Sequence, residues 1–145
     1  MRGGRSEEVR AESQELRVMR EEQKYRKLLV YEKATTLVVH VYALLKKFPK
    51  EEQYALCDQL RRAVVSIPSN IAEGIGRISD KDRAHFIEIA YGSLMEVNCQ
   101  LDIAKRLGYI TEEELTEMDQ ECVELARMLS GLRASVLQKT LDSKL

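Results

Sequence analysis

Acid–base, nucleophilic and metal chemistry each need certain side chains at certain spacings. Histidine occurs twice, as His40 and His85. Neither has a second His, Cys or Asp at metal-ligand spacing. Cys57 has no histidine that the sequence places beside it, so a thiolate–imidazole dyad lacks its base. Gly74-Ile75-Gly76 lacks a third glycine, a following Lys-Ser/Thr and a preceding strand. It reads as a helix terminator, not a phosphate-binding loop. A di-iron bundle site needs Glu-x-x-His, and Glu88 to Tyr91 and Glu96 to Cys99 both fail that test. These gaps argue against an enzyme and against a bound metal or cofactor.

What remains is charge and polarity at helical spacing. Arg62, Ser66, Ser69, Glu73 and Arg77 recur by three or four and so line one helix face. Counting outward from a turn near residue 78 brings Arg62 and Glu96 to similar height on antiparallel helices. An ion pair between them is therefore expected, and if it is buried, removing one partner would cost roughly 3–5 kcal/mol. The basic residues Arg61, Arg62, Arg77, Lys81 and Arg83 are expected around the same corner. Such a patch is either a solvated helix end or a phosphate-contacting surface. Aromatic residues that stack bases are missing there apart from Phe86, so any binding would follow the backbone and weaken with salt.

Helices must carry these residues. The chain of 145 residues suits one domain, and 44% hydrophobic residues with only 2 Pro and 7 Gly suit a helical globular core. Net charge is −1, so nucleic-acid binding would need a local patch. Residues 111–145 hold four basic and eight acidic side chains, which makes the last helix the acidic one. Cys57, Cys99 and Cys122 are odd in number and far apart, as in a reducing compartment. No apolar run reaches the roughly 18–20 residues that span a bilayer, and residues 1–24 have no signal-peptide core. A cytoplasmic location, with no membrane contact, is expected.

Residues 1–24 read as a charged extension, helical or disordered, with Met19 as an alternative start. A first helix is expected over about 27–47. Tyr31, Ala34, Val38, Val41, Leu45 and Phe48 form one stripe, and Val30, Leu37 and Leu44 an adjacent one. That apolar surplus fits deep burial or a subunit interface. Pro49 opens a second helix reaching about Ile75, with Leu56, Leu60, Ala63, Ile67 and Ile71 inward and a kink at Pro68. Gly74 and Gly76 are expected to end it. Ser79 with Asp82 resembles a capping box and starts a third helix, ended by Gly108. Its stripe is Ile87, Ala90, Leu94, Val97, Leu101 and Ala104. Thr111 with Glu114 is a full capping box before a fourth helix with Leu115, Met118, Cys122, Leu125, Leu129, Leu132 and Val136 inward. Residues 141–145 are expected to fray. The reading is all-α: an antiparallel up-down-up-down four-helix bundle over 25–140.

Several runs are also similar to a known family. Gln59 to Gly74, Phe48-Pro49 with Glu52, Phe86 to Glu96 and Leu101 to Tyr109 resemble the signature of the four-helix-bundle proteins encoded by intervening sequences in bacterial 23S ribosomal RNA genes. The resemblance covers about 25–138. It implies a closed bundle that assembles as a homopentamer. It also implies kinship with the accessory variability protein of diversity-generating retroelements, a pentameric barrel that binds nucleic acid and a reverse transcriptase. Carried over by position, Arg62, Asn70, Glu73 and Glu96 match the family's polar signature and are expected to serve structure or assembly. The expected function is a non-enzymatic, nucleic-acid-associated oligomer on RNA or DNA. The alternative is an adaptor that docks a protein partner such as a reverse transcriptase.

Overall fold

The computed structural model describes the backbone of residues 3–144 and the side chains of all but 3, 22, 23, 25 and 139–144. The tail expected to fray at 141–145 lies outside the described side chains. Four helices make up the chain: α1 (Gly3–Leu45), α2 (Leu56–Ile75), α3 (Asp80–Arg106) and α4 (Glu112–Lys144). A short 3-10 turn (Lys50–Glu52) joins the first two. There is no strand among the described residues.

Each helix packs on its neighbour in sequence, and α1 closes on α4. The pairs run antiparallel. Ser66 meets Ser93 between α2 and α3 at 2.8 Å. Across α3 and α4, Glu88 pairs with Arg133 and Lys105 with Glu112. Between α1 and α4 the partners descend as α1 ascends: Lys33 with Glu124, His40 with Glu121, Lys47 with Glu114.

One core cluster joins all four helices. The stripes expected on α3 and α4 are buried throughout, from Ile87 to Ala104 and from Leu115 to Val136. On α1 the buried line is Val30, Ala34, Leu37, Val41 and Leu44, continued by Phe48 just beyond the helix, with Leu45 beside it. Tyr31 is 40% exposed and Val38 only partly buried, so the helix is turned by about one position from the expected stripe. The reason lies in shape. A line of Val30, Leu37 and Leu44 alternating with Ala34, Val41 and Phe48 fills a bundle centre, whereas Tyr31 keeps its hydroxyl at the edge. The expectation that no apolar run reaches membrane-spanning length needs correction: α1 contains an 18-residue stretch apolar enough by length and composition to span a membrane, since Glu32 and Lys33 are the only carboxylate and ammonium between residues 28 and 45. Here its inner side is core, and Lys33 and His40 pair with α4.

The helix ends follow local chemistry. The Asp82 N–H donates to the Ser79 hydroxyl at 3.1 Å. Thr111 and Glu114 cap each other reciprocally, at 3.0 and 3.1 Å. Gly108 has φ +81° and closes α3 in a Schellman arrangement, with the Tyr109 N–H on the Ala104 carbonyl and its own N–H on Lys105. Two expectations need correction. The second helix begins at Leu56, not near Pro49, because the 3-10 turn and residues 53–55 intervene. Gly74 does not end α2. It is buried inside it, and a Cβ there would lie 3.1 Å from the Phe86 Cβ, so the glycine lets α3 approach. Gly76 caps the helix with an ordinary right-handed φ of −76°.

Two predictions follow from this packing. Leu125 is wholly buried, so Leu125→Ala should lower the unfolding free energy by about 2–5 kcal/mol in a urea titration. Glu114 sits below its usual 4.5, chiefly because it accepts from the Lys47 ammonium, then from the Thr111 N–H. A lowered carboxylate pKa stabilises the fold above the unfolded value and loses that effect as pH falls through the folded one. The melting temperature should therefore fall on acidification below about pH 4.5, and Glu114→Gln should shrink that fall.

Candidate nucleic-acid interface

The five basic residues expected at one corner occupy two ends of the bundle. Arg61 and Arg62 lie near the start of α2, and Arg77 just beyond its end. Sixteen residues of helical rise separate Arg61 from Arg77, about 24 Å. Arg77, Lys81 and Arg83 do share the α2–α3 corner, but two of the three are paired there. Arg77 donates to Glu73 at 2.6 Å and its guanidinium lies 4.7 Å from the Phe86 ring centroid. Arg83 donates to Asp80 at 3.0 Å and to the Arg77 carbonyl at 2.8 Å. This corner largely neutralises itself.

The expected Arg62–Glu96 ion pair does not form. Arg62 is 82% exposed and lies 3.4 Å from Asp58, one turn back on its own helix. Glu96 is exposed and accepts from Gln100 at 3.2 Å. Ser66 opposite Ser93 puts Arg62 near Val97, at the expected height. The inward side of α2 is taken by Leu60, Ala63, Val64 and Ile67, which turns Arg62 outward and away from Glu96. Asn70 keeps a structural place. Its amide donates to the Ser66 carbonyl and hydroxyl at 2.8 and 2.9 Å, and that hydroxyl reaches Ser93 on α3.

The strongest charge pattern runs along the second half of α1 and the turn that follows it. From Lys24 to Lys50 the chain carries Lys24, Arg26, Lys27, Lys33, Lys46, Lys47 and Lys50 against the single carboxylate Glu32. From Glu112 to Ala126, α4 has seven carboxylates and no basic residue. Rotation of α1 by its core stripe places Lys33, His40 and Lys47 on the α4 flank, where all three find carboxylates. At the α1–α2 corner, Lys46, Lys50 and Arg61 instead surround a cleft of about 330 Å³ walled by Tyr42, Leu45, Phe48 and Pro49.

The corner is braced from behind. Phe48 packs on Tyr109 with ring centroids 5.5 Å apart. The Tyr109 hydroxyl donates to Glu52 at 2.9 Å, and the other oxygen of Glu52 accepts the Leu56 N–H at 3.3 Å. One carboxylate thus ties the α3–α4 turn to the start of α2. It also pushes the Tyr109 phenol above its usual range, by that hydrogen bond first and burial second.

The remaining reactive groups are subdued. Burial pushes the Cys122 thiol up to about 12 and raises that of Cys57, so neither is a thiolate near neutral pH. Burial likewise raises the Asp119 carboxyl, helped by Asp102 and Glu112. Its Oδ1 and the Gln100 Oε1 are buried with no partner on the α3–α4 seam. Among the described residues no three His, Cys, Asp or Glu gather as a metal would require.

Because Arg62 is a solvated side chain, Arg62→Ala should change the unfolding free energy by no more than about 0.5 kcal/mol. A loss of about 3 kcal/mol in the same titration would restore the buried pair.

The comparisons accord with this architecture. The model of a family described as 23S rRNA-intervening sequence protein matches residues 26–131. A crystal structure of a protein of unknown function from the S23 ribosomal protein family of Bacteroides thetaiotaomicron superposes with a TM-score of 0.70. It is 24% identical and covers 75% of this chain and 98% of its own, a likeness of fold. No curated protein matches. With the match spanning most of the bundle, the chain belongs to the 23S rRNA-intervening sequence protein family.

Proposed function

We propose that this chain is a non-enzymatic, self-assembling bundle of the cytoplasm that holds RNA, or an RNA/DNA hybrid, through its phosphates. The observation that carries this reading is the separation of charge between α1 and α4. Pairing with α4 uses Lys33 and Lys47, while Lys46, Lys50 and Arg61 converge elsewhere. Clustered cations bind phosphate by releasing counterions, without regard to sequence. The family's link to ribosomal RNA intervening sequences suits such a ligand.

Assembly is supported by apolar surface left outside the core. Leu28 and Val39 on α1 are more than 60% exposed, and Tyr91, Met95 and Val123 are well exposed beside a groove between α3 and α4. Two different patches on different sides of one subunit make a head-to-tail contact, which closes into a ring when the rotation allows. A homopentamer is the ring that the family resemblance implies. The α3–α4 groove, about 440 Å³, also favours a second reading, in which the bundle is an adaptor for a protein such as a reverse transcriptase.

Filter binding of single-stranded RNA, with the particle mass read by light scattering, tests the proposal. If about four phosphates are contacted, affinity should fall about 50-fold between 50 and 200 mM salt. The mass should be a multiple of 16.7 kDa. A monomer at micromolar concentration contradicts assembly, and no binding at 50 mM salt leaves the adaptor reading.

A further inference from the structure

Resting on that RNA-binding reading, we infer that the α1–α2 corner cleft is a nucleotide site, taking one unpaired base with its flanking phosphates from a single strand. The lining supplies both halves of such a ligand. Lys46, Lys50 and Arg61 contribute positive charge, and no carboxylate lines the cleft. Tyr42, 41% exposed, contributes an aromatic ring to the lining, and Leu45, Phe48 and Pro49 supply apolar wall. At about 330 Å³ the space is at the small end of ligand clefts.

Three features hold the site open and charged. Arg61 Nη1 donates to the Gln53 carbonyl at 3.1 Å, which fixes the guanidinium at the mouth without neutralising it. Glu52, a near carboxylate in sequence, is occupied by the Tyr109 hydroxyl and the Leu56 N–H. Phe48 packs on Tyr109, which backs the wall of the cleft. The larger groove at the other end of the α1–α2 seam also holds Lys24, Lys27 and Tyr31, and its Arg83 is paired with Asp80. A base stacked on one aromatic contributes enough to be measured, and flanking cations add a salt-dependent term. Only the stacking term requires an unpaired base, so a duplex, whose bases stay paired, loses that term and should bind less well.

The test uses the full chain and fluorescein-labelled decauridylate at 50 mM salt, with a duplex of equal length. The single strand should bind more tightly than the duplex. Tyr42→Ala should weaken the single strand about tenfold and leave the duplex unchanged, whereas Tyr42→Phe should bind as the unaltered chain. The double variant Lys46→Ala/Lys50→Ala, at two exposed positions, should lower the salt slope by about 1.4. If RNA binds and these variants bind as the unaltered chain does, the cleft is overturned and the wider reading stands. If the unaltered chain binds no RNA, both fall. Binding of a glutamate–tyrosine copolymer in place of RNA, lost in Tyr42→Ala, overturns the nucleotide in favour of an acidic protein.

Discussion

Each helix can bury only one side, and that constraint sets the rest of the molecule. With Val30, Ala34, Leu37, Val41, Leu44 and Phe48 committed to the core, α1 has no freedom to rotate. Its flanks are then decided. Residues 33, 40 and 47 meet the acidic side of α4, while 24, 31 and 45 turn toward α2. The ion pairs are mostly exposed and each adds little energy. Apolar burial does the holding, and the charges favour this register over its neighbours, since a shifted α4 would lose its lysine partners.

Several residues that carry the family resemblance serve as joints. Phe48 and Glu52 lie far in the chain from Tyr109 and form with it one brace between the α1–α2 corner and the α3–α4 turn. Gly74 leaves room for Phe86 and Arg83, and Asn70 links α2 to α3 through Ser66.

Much of the fold was legible because α3 and α4 repeat their apolar residues cleanly and announce their ends with capping boxes. On α1, two adjacent stripes compete, and choosing between Val30 and Tyr31 needs the shape of the core they enter. Residues 50–55 have helix-forming composition, yet the Glu52 carboxylate is drawn to Tyr109 and the Leu56 N–H, which no local pattern shows. The candidate site was read less well. Counting residues gives height along a helix but not direction, so Arg62 was aimed at Glu96 and found Asp58. Nearness in a numbered run likewise joined Arg61 to Arg77, which the length of α2 separates.

Hydrogen exchange measured amide by amide tests the closed core most directly. If the four stripes form one cooperative unit, amides in 30–44 of α1 should open with the same free energy as those in 90–101 of α3 and 118–132 of α4. Exchange of α1 with far lower protection, while α2 to α4 remain protected, would contradict the account, since the flanks of α1 would then have no fixed direction.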